Sequence, residues 1–402
     1  MKAQATAPAA SAATRHAPLW LLAMLVFSGT VGMHVFVPAL PAAAADLGAG
    51  AGTMQWAISL YILGLAIGQP LYGPLSDRFG RRPVLVGGLA LYTLAGLAAA
   101  LAPEAHALIA ARLFQAFGGC AGMVVGRAIV RDTTTTGEAA RRLALMNLMV
   151  SIGPSVAPLL GGAMVAGFGW RSIFYLLVAL GVAGLLCCGW LLPETRRGAP
   201  QAGGAALMRG YLRLLRSPAF VGYSIGGGCA TTSMYAFIAA APFIFVEQLH
   251  RSLHEASIFI ALLVSGVWLG SVLTARLVML MSIEKLLVRS NLLSVAAAFI
   301  FLGAVLLDRL TVPITVGTMF VFTVGVGLAS PGALTQAISV DPRMIGSASG
   351  LYGFTQMTVG AFCTSLGALG GNPALAVGLV LAGAGVVAQG SFWLAGRRRA
   401  RP

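Results

Sequence analysis

Gly73-Pro74-Leu75-Ser76-Asp77-Arg78-Phe79-Gly80-Arg81-Arg82-Pro83 is a charged stretch set between two long apolar runs, in a chain of 402 residues of which only 9% are charged. The flanking runs, residues 52–72 and 83–102, each reach the roughly 20 residues that carry a helix across a bilayer. The charges of Asp77, Arg78, Arg81 and Arg82 therefore gather at one membrane face, and the stretch reads as a hinge between two transmembrane helices. Gly73 and Gly80 are the positions where the backbone is free to turn. Asp77 and Arg81 stand one helical turn apart, so they can pair at the end of the earlier helix.

Outward from the hinge the apolar pattern continues along the chain. Hydrophobic residues make up 58% of the sequence and the mean hydropathy is +0.88. A soluble fold would lack the polar material to cover its surface. Apolar stretches long enough to cross a bilayer occur at 18–40, 52–73, 83–102, 106–127, 143–167, 171–192, 218–246, 254–280, 286–307, 312–338, 346–370 and 373–395. The expected fold is an all-α polytopic membrane protein of twelve spans.

Residues 193–217 form the longest connection near the midpoint, with Pro193, five arginines and Gly203-Gly204. They read as a linker between a six-helix bundle at 18–192 and a second at 218–396, with tails at 1–17 and 397–402. Gly64 and Gly68 recur 202 residues later as Gly266 and Gly270. Such spacing fits two copies facing each other across a cavity, and it fits unrelated packing seams as well. The positions matching Asp77 and Arg78 are Met279 and Leu280, so the second copy lacks the charges.

The net charge of +15 sorts by membrane side. With both termini on one side, only Arg171, Arg251 and Arg309 of the 26 Lys and Arg residues fall in the opposite segments, and Arg112 lies within a span. That bias places the termini in the cytoplasm. The basic charge orients the chain, and no nucleic-acid partner is expected. The run at 18–40 exceeds the roughly 7–15 residues of a signal-peptide core, so it reads as a first span although Ala42–Ala45 follow it. The five cysteines all fall inside spans, which implies neither a disulfide framework nor a metal.

Few groups at membrane depth can carry chemistry. Arg112 lies within the fourth span, where a charge costs several kcal/mol unless it faces a wet cavity or a partner; snorkelling to the outer interface is the other outlet. Gln115, nearly one turn on, shares its face. All eleven carboxylates lie at helix ends or in loops. His34 is the one histidine of five at depth. Histidine titrates near pH 6.5 and can carry a proton, or it can serve as a polar link between helices.

In the fifth span Pro154 and Pro158 share one face and bend the helix, while Gly153, Gly161 and Gly162 allow close approach of a neighbour. Asp132 offers a further carboxylate near the hinge, where a cluster of ion pairs can lock one conformation and release another; the three arginines also serve topology. Phe36, Tyr61, Gln69, Met149, Tyr235, Phe237, Trp268, Gln336, Tyr352 and Gln356 supply the aromatic, methionine and sparse polar character of a broad-specificity pocket, together with His34, Arg112 and Gln115.

These residues resemble a known family. Gly73 to Pro83 is similar to the signature of the major facilitator superfamily between its second and third helices. Arg112-Leu113-Phe114-Gln115 with Gly118, Gly119 and Gly122 resembles the fourth-helix motif of proton-driven members. Gly153-Pro154-Ser155-Val156-Ala157-Pro158-Leu159-Leu160-Gly161-Gly162 resembles the fifth-helix motif of exporters. Trp170-Arg171-Ser172-Ile173-Phe174 and Leu192-Pro193-Glu194-Thr195 complete a pattern similar to the bicyclomycin/chloramphenicol (Bcr/CflA) drug-efflux subfamily.

The resemblance implies a monomeric proton antiporter of a bacterial inner membrane, exporting small amphipathic compounds by alternating access and conferring multidrug resistance. Arg112 would take part in proton coupling, and the fifth-helix glycines would seal one half against the other. Its partners would be a small-molecule substrate, protons and the lipid bilayer, with no cofactor beyond the proton gradient. One departure stands out: His34 and Phe36 occupy positions where the subfamily carries an acid and a tyrosine. Without a deep carboxylate, lipophilic cations are disfavoured and neutral or anionic cargo is favoured, with His34 as an alternative proton carrier. Export of an endogenous metabolite such as a siderophore is the alternative. A nutrient importer is opposed by the fifth-helix motif, and a membrane-embedded enzyme by the lack of a nucleophile-base pair or metal cluster at depth.

Overall fold

The computed structural model describes residues 18–134, 136–195, 204–341 and 344–399, and every regular element among them is helical. The first crossing is α1 (Leu19–His34), a 3-10 turn (Val37–Ala39) and α2 (Leu40–Asp46). Pro38 and Pro41 each lack an N–H, so the hydrogen-bond ladder is interrupted between α1 and α2. The Ala42–Ala45 run lies inside α2, and the first crossing extends past residue 40 to Asp46.

Then follow α3 (Ala51–Phe79), α4 (Arg81–Ala100), α5 (Ala105–Thr133), α6 (Thr136–Phe168) and α7 (Arg171–Leu191). The central connection carries a helix of its own, α8 (Gly204–Leu215), which packs Tyr211 and Leu214 on the second bundle and exposes Arg209 and Arg213. Such a two-faced helix suits a membrane interface; residues 196–203 lie outside the described ones. The seventh crossing is α9 (Pro218–Thr232) and α10 (Met234–Phe243), broken at Ser233 and ending in a π-turn at Ile244–Gln248. The rest are α11 (Leu253–Leu277), α12 (Ile283–Leu306), α13 (Val312–Ile338), α14 (Ile345–Gly367) and α15 (Pro373–Arg399).

Ten crossings among the described residues are long and apolar enough to span a bilayer. The expected fifth and eleventh are α6, uncharged from Leu143 to Phe168, and α14, uncharged but rich in glycine and hydroxyls. Large apolar side chains such as Leu94, Trp190, Phe299 and Ile300 are exposed, as they are in a fold whose solvent is lipid.

Packing repeats between the halves. In the first, α3 and α4 lie on α5, α4 on α7, and α1 against α5 and α6. In the second, α11 and α12 lie on α13, α12 on α15, and α9 against α13 and α14. This is the same arrangement of six crossings made twice. Gly64 of α3 approaches the Leu113 carbonyl of α5, and Gly266 of α11 approaches the Phe320 carbonyl of α13. The glycines of the 202-residue repeat thus serve equivalent helix crossings. The halves meet where α3 lies on α14 and α6 on α11, and where α10 touches α2 and the 3-10 turn.

The hinge is tighter than its sequence suggests. α3 runs through Pro70, Gly73 and Pro74 to Phe79, and α4 begins at Arg81, so the turn is Gly80 alone. Gly80 has φ 100°, a conformation that costs other residues. Gly73 is helical, and its role as a turn residue is corrected. Prolines inside α3 do not stop it, because in a membrane neighbouring helices satisfy the backbone groups they free.

Candidate functional site

Arg112 on α5 is fully buried, so it does not snorkel. Its Nη1 donates to Gln115 Oε1 at 2.6 Å and its Nη2 to the Gly32 carbonyl at 2.8 Å. The guanidinium carbon sits 4.0 Å from the centre of the Tyr61 ring, 5.2 Å from that of Phe36 and 5.7 Å from that of Phe174. Tyr61 is itself held by a 2.8 Å hydrogen bond from its hydroxyl to the Gly29 carbonyl. No carboxylate takes part in this cage.

The fold supplies the compensation that a carboxylate would otherwise provide. Gly32 is among the last residues of α1, whose terminal carbonyls lack intrahelical partners and carry the negative end of the helix dipole. The end of α1 at His34 therefore presents an acceptor to Arg112. Aromatic faces over a desolvated cation contribute about 2 kcal/mol or more. An arginine stays protonated, so Arg112 acts as a fixed charge. Arg112 Nε and Gln115 Nε2 are buried donors without a partner, and buried donors favour a ligand that brings acceptors.

His34 closes α1 and is 4% exposed, with Nδ1 2.9 Å from the Thr30 carbonyl. Its ring meets Tyr235 of α10 edge-on, 6.3 Å between centroids. The one deep histidine thus stands where the two halves face each other, two residues from the carbonyl that holds Arg112. Phe36 packs on Phe174 at 4.9 Å and continues to Trp170. At the end of the first half opposite the hinge, Trp170 Nε1 and Arg171 both donate to Asp46, tying α7 to α2.

The remaining expected cavity residues scatter. Gln69 lies against Gly353 on the α3–α14 seam. Gln356 donates to Thr231 Oγ1 at 2.8 Å beside the break in the seventh crossing, and Tyr352 is buried close by, near Gly227. Gln336 is buried on α13. Phe237 packs on Phe245 and Phe301 inside the second bundle, and Trp268 is 45% exposed on α11; neither reaches the arginine cage. Met149 falls on α6 with its side chain outside the described residues. A cavity of about 210 Å³ opens between the halves, lined by Gln55 and Glu247 among others.

At the hinge, Arg81 pairs with Asp77 at 2.6 Å and with Asp132 at 2.8 Å, and its Nη1 also donates to Ser76 Oγ. Arg78 lies over the Phe79 ring, and Arg82 donates to the Gly189 carbonyl. Glu194 was not expected here. Its carboxylate accepts from the backbone N–H groups of Arg81 and Arg82 at 3.0 and 3.1 Å, capping α4. A β-carbon at position 80 would sit 2.7 Å from Glu194 Oε2 and push the carboxylate aside. Loss of a cap costs about 1 kcal/mol, so Glu194→Ala should lower the stability of the first bundle by about that amount, measured as a thermal melt. An unchanged melt would remove Glu194 from the support of α4.

In the fifth crossing, a methyl at Gly161 would fall on the Val35 carbonyl of the same half. A methyl at Gly162 would fall on Ser257 of α11 in the other half, and one at Gly153 on the Phe27 ring. Pro154 and Pro158 lie within α6 on the same stretch.

Two six-crossing halves, a charged hinge after the second crossing and a buried arginine in the fourth now stand together, and residues 19–364 match the Major Facilitator Superfamily profile. The chain belongs to that superfamily. Members of the major facilitator superfamily are transporters, so the chain is a transporter rather than an enzyme. It is 28% identical over 384 residues to the uncharacterized MFS-type transporter YdgK of Bacillus subtilis (strain 168), covering 94% of this chain and 95% of that one. Over 337 residues it is 25% identical to the bicyclomycin resistance protein homolog of Haemophilus influenzae, covering 83% and 84%. Its fold is shared with a D-xylose–proton symporter of known structure, with a TM-score of 0.74 at 14% identity over 92% and 96% of the two chains. This superfamily transporter is a multi-pass membrane protein.

Proposed function

We propose that the transporter exports small amphipathic compounds, neutral or anionic in preference to cationic, by proton antiport and alternating access in a bacterial inner membrane. The observation that carries the cargo reading is the caged Arg112. A fully buried cation without a carboxylate, flanked by two unpaired donors, favours acceptor groups and opposes positive charge. Likeness to a bicyclomycin resistance protein homolog supports drug efflux. Export of an endogenous metabolite of the same chemistry, such as a siderophore, uses the same site.

The alternating motion is supported by two features at opposite ends of the molecule. The Asp77–Arg81–Asp132 latch lies at the hinge end, while α10 closes on α2 at the other. His34, between the halves, is the proposed proton carrier. One proton moving down about 100 mV releases roughly 2.3 kcal/mol, enough for about a fiftyfold gradient of a neutral solute.

In proteoliposomes, His34→Gln should abolish accumulation driven by a pH gradient, a drop of about tenfold or more, while exchange of labelled for unlabelled cargo continues. Undiminished uphill accumulation in the variant would take the proton from His34.

A further inference from the structure

A cavity of about 370 Å³ opens between α9, α12 and α15, at the end of the second bundle where α8 joins α9. It lies away from the seam between the halves and from the arginine cage. Its floor is apolar and closed: Tyr223, Leu287 and Phe392 are each at most 3% exposed. Its rim is charged and open, with Glu284, Lys285 and Arg289 exposed, and Trp393 stands 55% exposed beside them.

We propose that this cleft is a binding site for one anionic phospholipid, with an acyl chain on the apolar floor and the phosphate between Lys285 and Arg289. Lys285 and Arg289 are one helical turn apart, so they project from one face of α12. That helix begins at Ile283, which places both cations in its first two turns, at the level of a headgroup. Farther along α12, Leu292 and Leu293 are exposed, continuing the lipid-facing surface from the cleft. Trp393 is the side chain expected at such an interface, one end apolar and the other wet.

Positive charge is in excess at this end. α15 continues from Gly396 into Arg397, Arg398 and Arg399, and α8 brings Arg209 and Arg213. Basic pockets between transmembrane helices take anionic headgroups, each cation strengthening binding about fivefold. A soluble anion would gain nothing from a floor of leucine, tyrosine and phenylalanine. A lipid uses both parts of the cleft.

The test uses the full-length protein reconstituted with phospholipids brominated on the acyl chain, which quench tryptophan on contact. Brominated phosphatidylglycerol should outcompete brominated phosphatidylcholine about tenfold for the site beside Trp393. Lys285→Gln with Arg289→Gln should bring that preference to about one, Glu284→Gln should raise it, and Arg289→Lys should keep it. Trp393→Phe should remove the selective part of the quenching from the whole signal. Equal quenching by the two lipids, or a preference that survives loss of both cations or of Trp393, would overturn the proposal. Displacement of the lipid signal by inorganic phosphate would assign the cleft to a soluble anion and overturn it too.

Discussion

Arg112→Met abolishes gradient-driven export, a loss of at least a hundredfold, while the protein stays folded with a modestly lowered melting temperature. The two halves of that expectation rest on different terms. Replacing a buried charge by an apolar side chain of similar volume is often neutral or stabilising by about 1–4 kcal/mol, because the cost of desolvation disappears. Against this stand two acceptors left short, Gln115 Oε1 and the Gly32 carbonyl, at about 1–3 kcal/mol each. Losing the cation–π contacts with Tyr61, Phe36 and Phe174 adds about 2 kcal/mol, so a modest net destabilisation remains. Transport loses more, because the fixed positive charge at the end of α1 goes with the guanidinium.

Arg112→Lys also fails to transport. An ammonium is a compact charge with three donors, and it cannot lie flat on the Tyr61 ring while reaching both Gln115 and Gly32. Thermal melts monitored by size exclusion separate the two quantities. Full export by the lysine variant would show that charge alone suffices and that the cage has no part in function.

The second large effect falls on the fifth crossing, where adjacent glycines have different jobs. Gly161 rests on the Val35 backbone carbonyl at the interruption of the first crossing. A backbone atom cannot rotate away, so Gly161→Val forces a helix shift of the overpacking kind, about 3 kcal/mol or more. Folded yield of that variant should fall severely. Gly162 meets the Ser257 side chain of the opposite half. Gly162→Ala should leave the melt nearly unchanged, slow transport about fivefold by wedging the α6–α11 seam, and recover when combined with Ser257→Gly. The same Ser257→Gly change should do nothing for Gly161→Val. Equal rescue of both would erase the distinction between the within-half and between-half contacts.

Much of the architecture was legible because membrane spans announce themselves by length and apolarity alone. The charged turn at Gly80, the depth of Arg112 and the repeat of Gly64 and Gly68 all followed from local spacing. What was not legible was long-range pairing. Glu194 caps α4 from more than a hundred residues away, and no local pattern couples a carboxylate to backbone groups so remote. The carbonyl that holds Arg112 could be suspected only by combining Pro38 with the position of α1's end. Aromatic candidates were the least readable group. Phe237 and Tyr235 lie two positions apart on α10, yet one packs into the second bundle and the other meets His34. Gly73 was overread as a turn residue: it stays helical within α3, with open space where a β-carbon would stand.

Initial rates of pH-gradient-driven uptake into inverted vesicles, for matched neutral, anionic and cationic amphipathic compounds of similar size, decide the cargo. The caged arginine and the absence of a deep carboxylate predict fast transport of the neutral and anionic compounds, collapse of that transport when the pH gradient is dissipated, and slow transport of the cations. Transport confined to the cations would contradict this preference for neutral and anionic cargo.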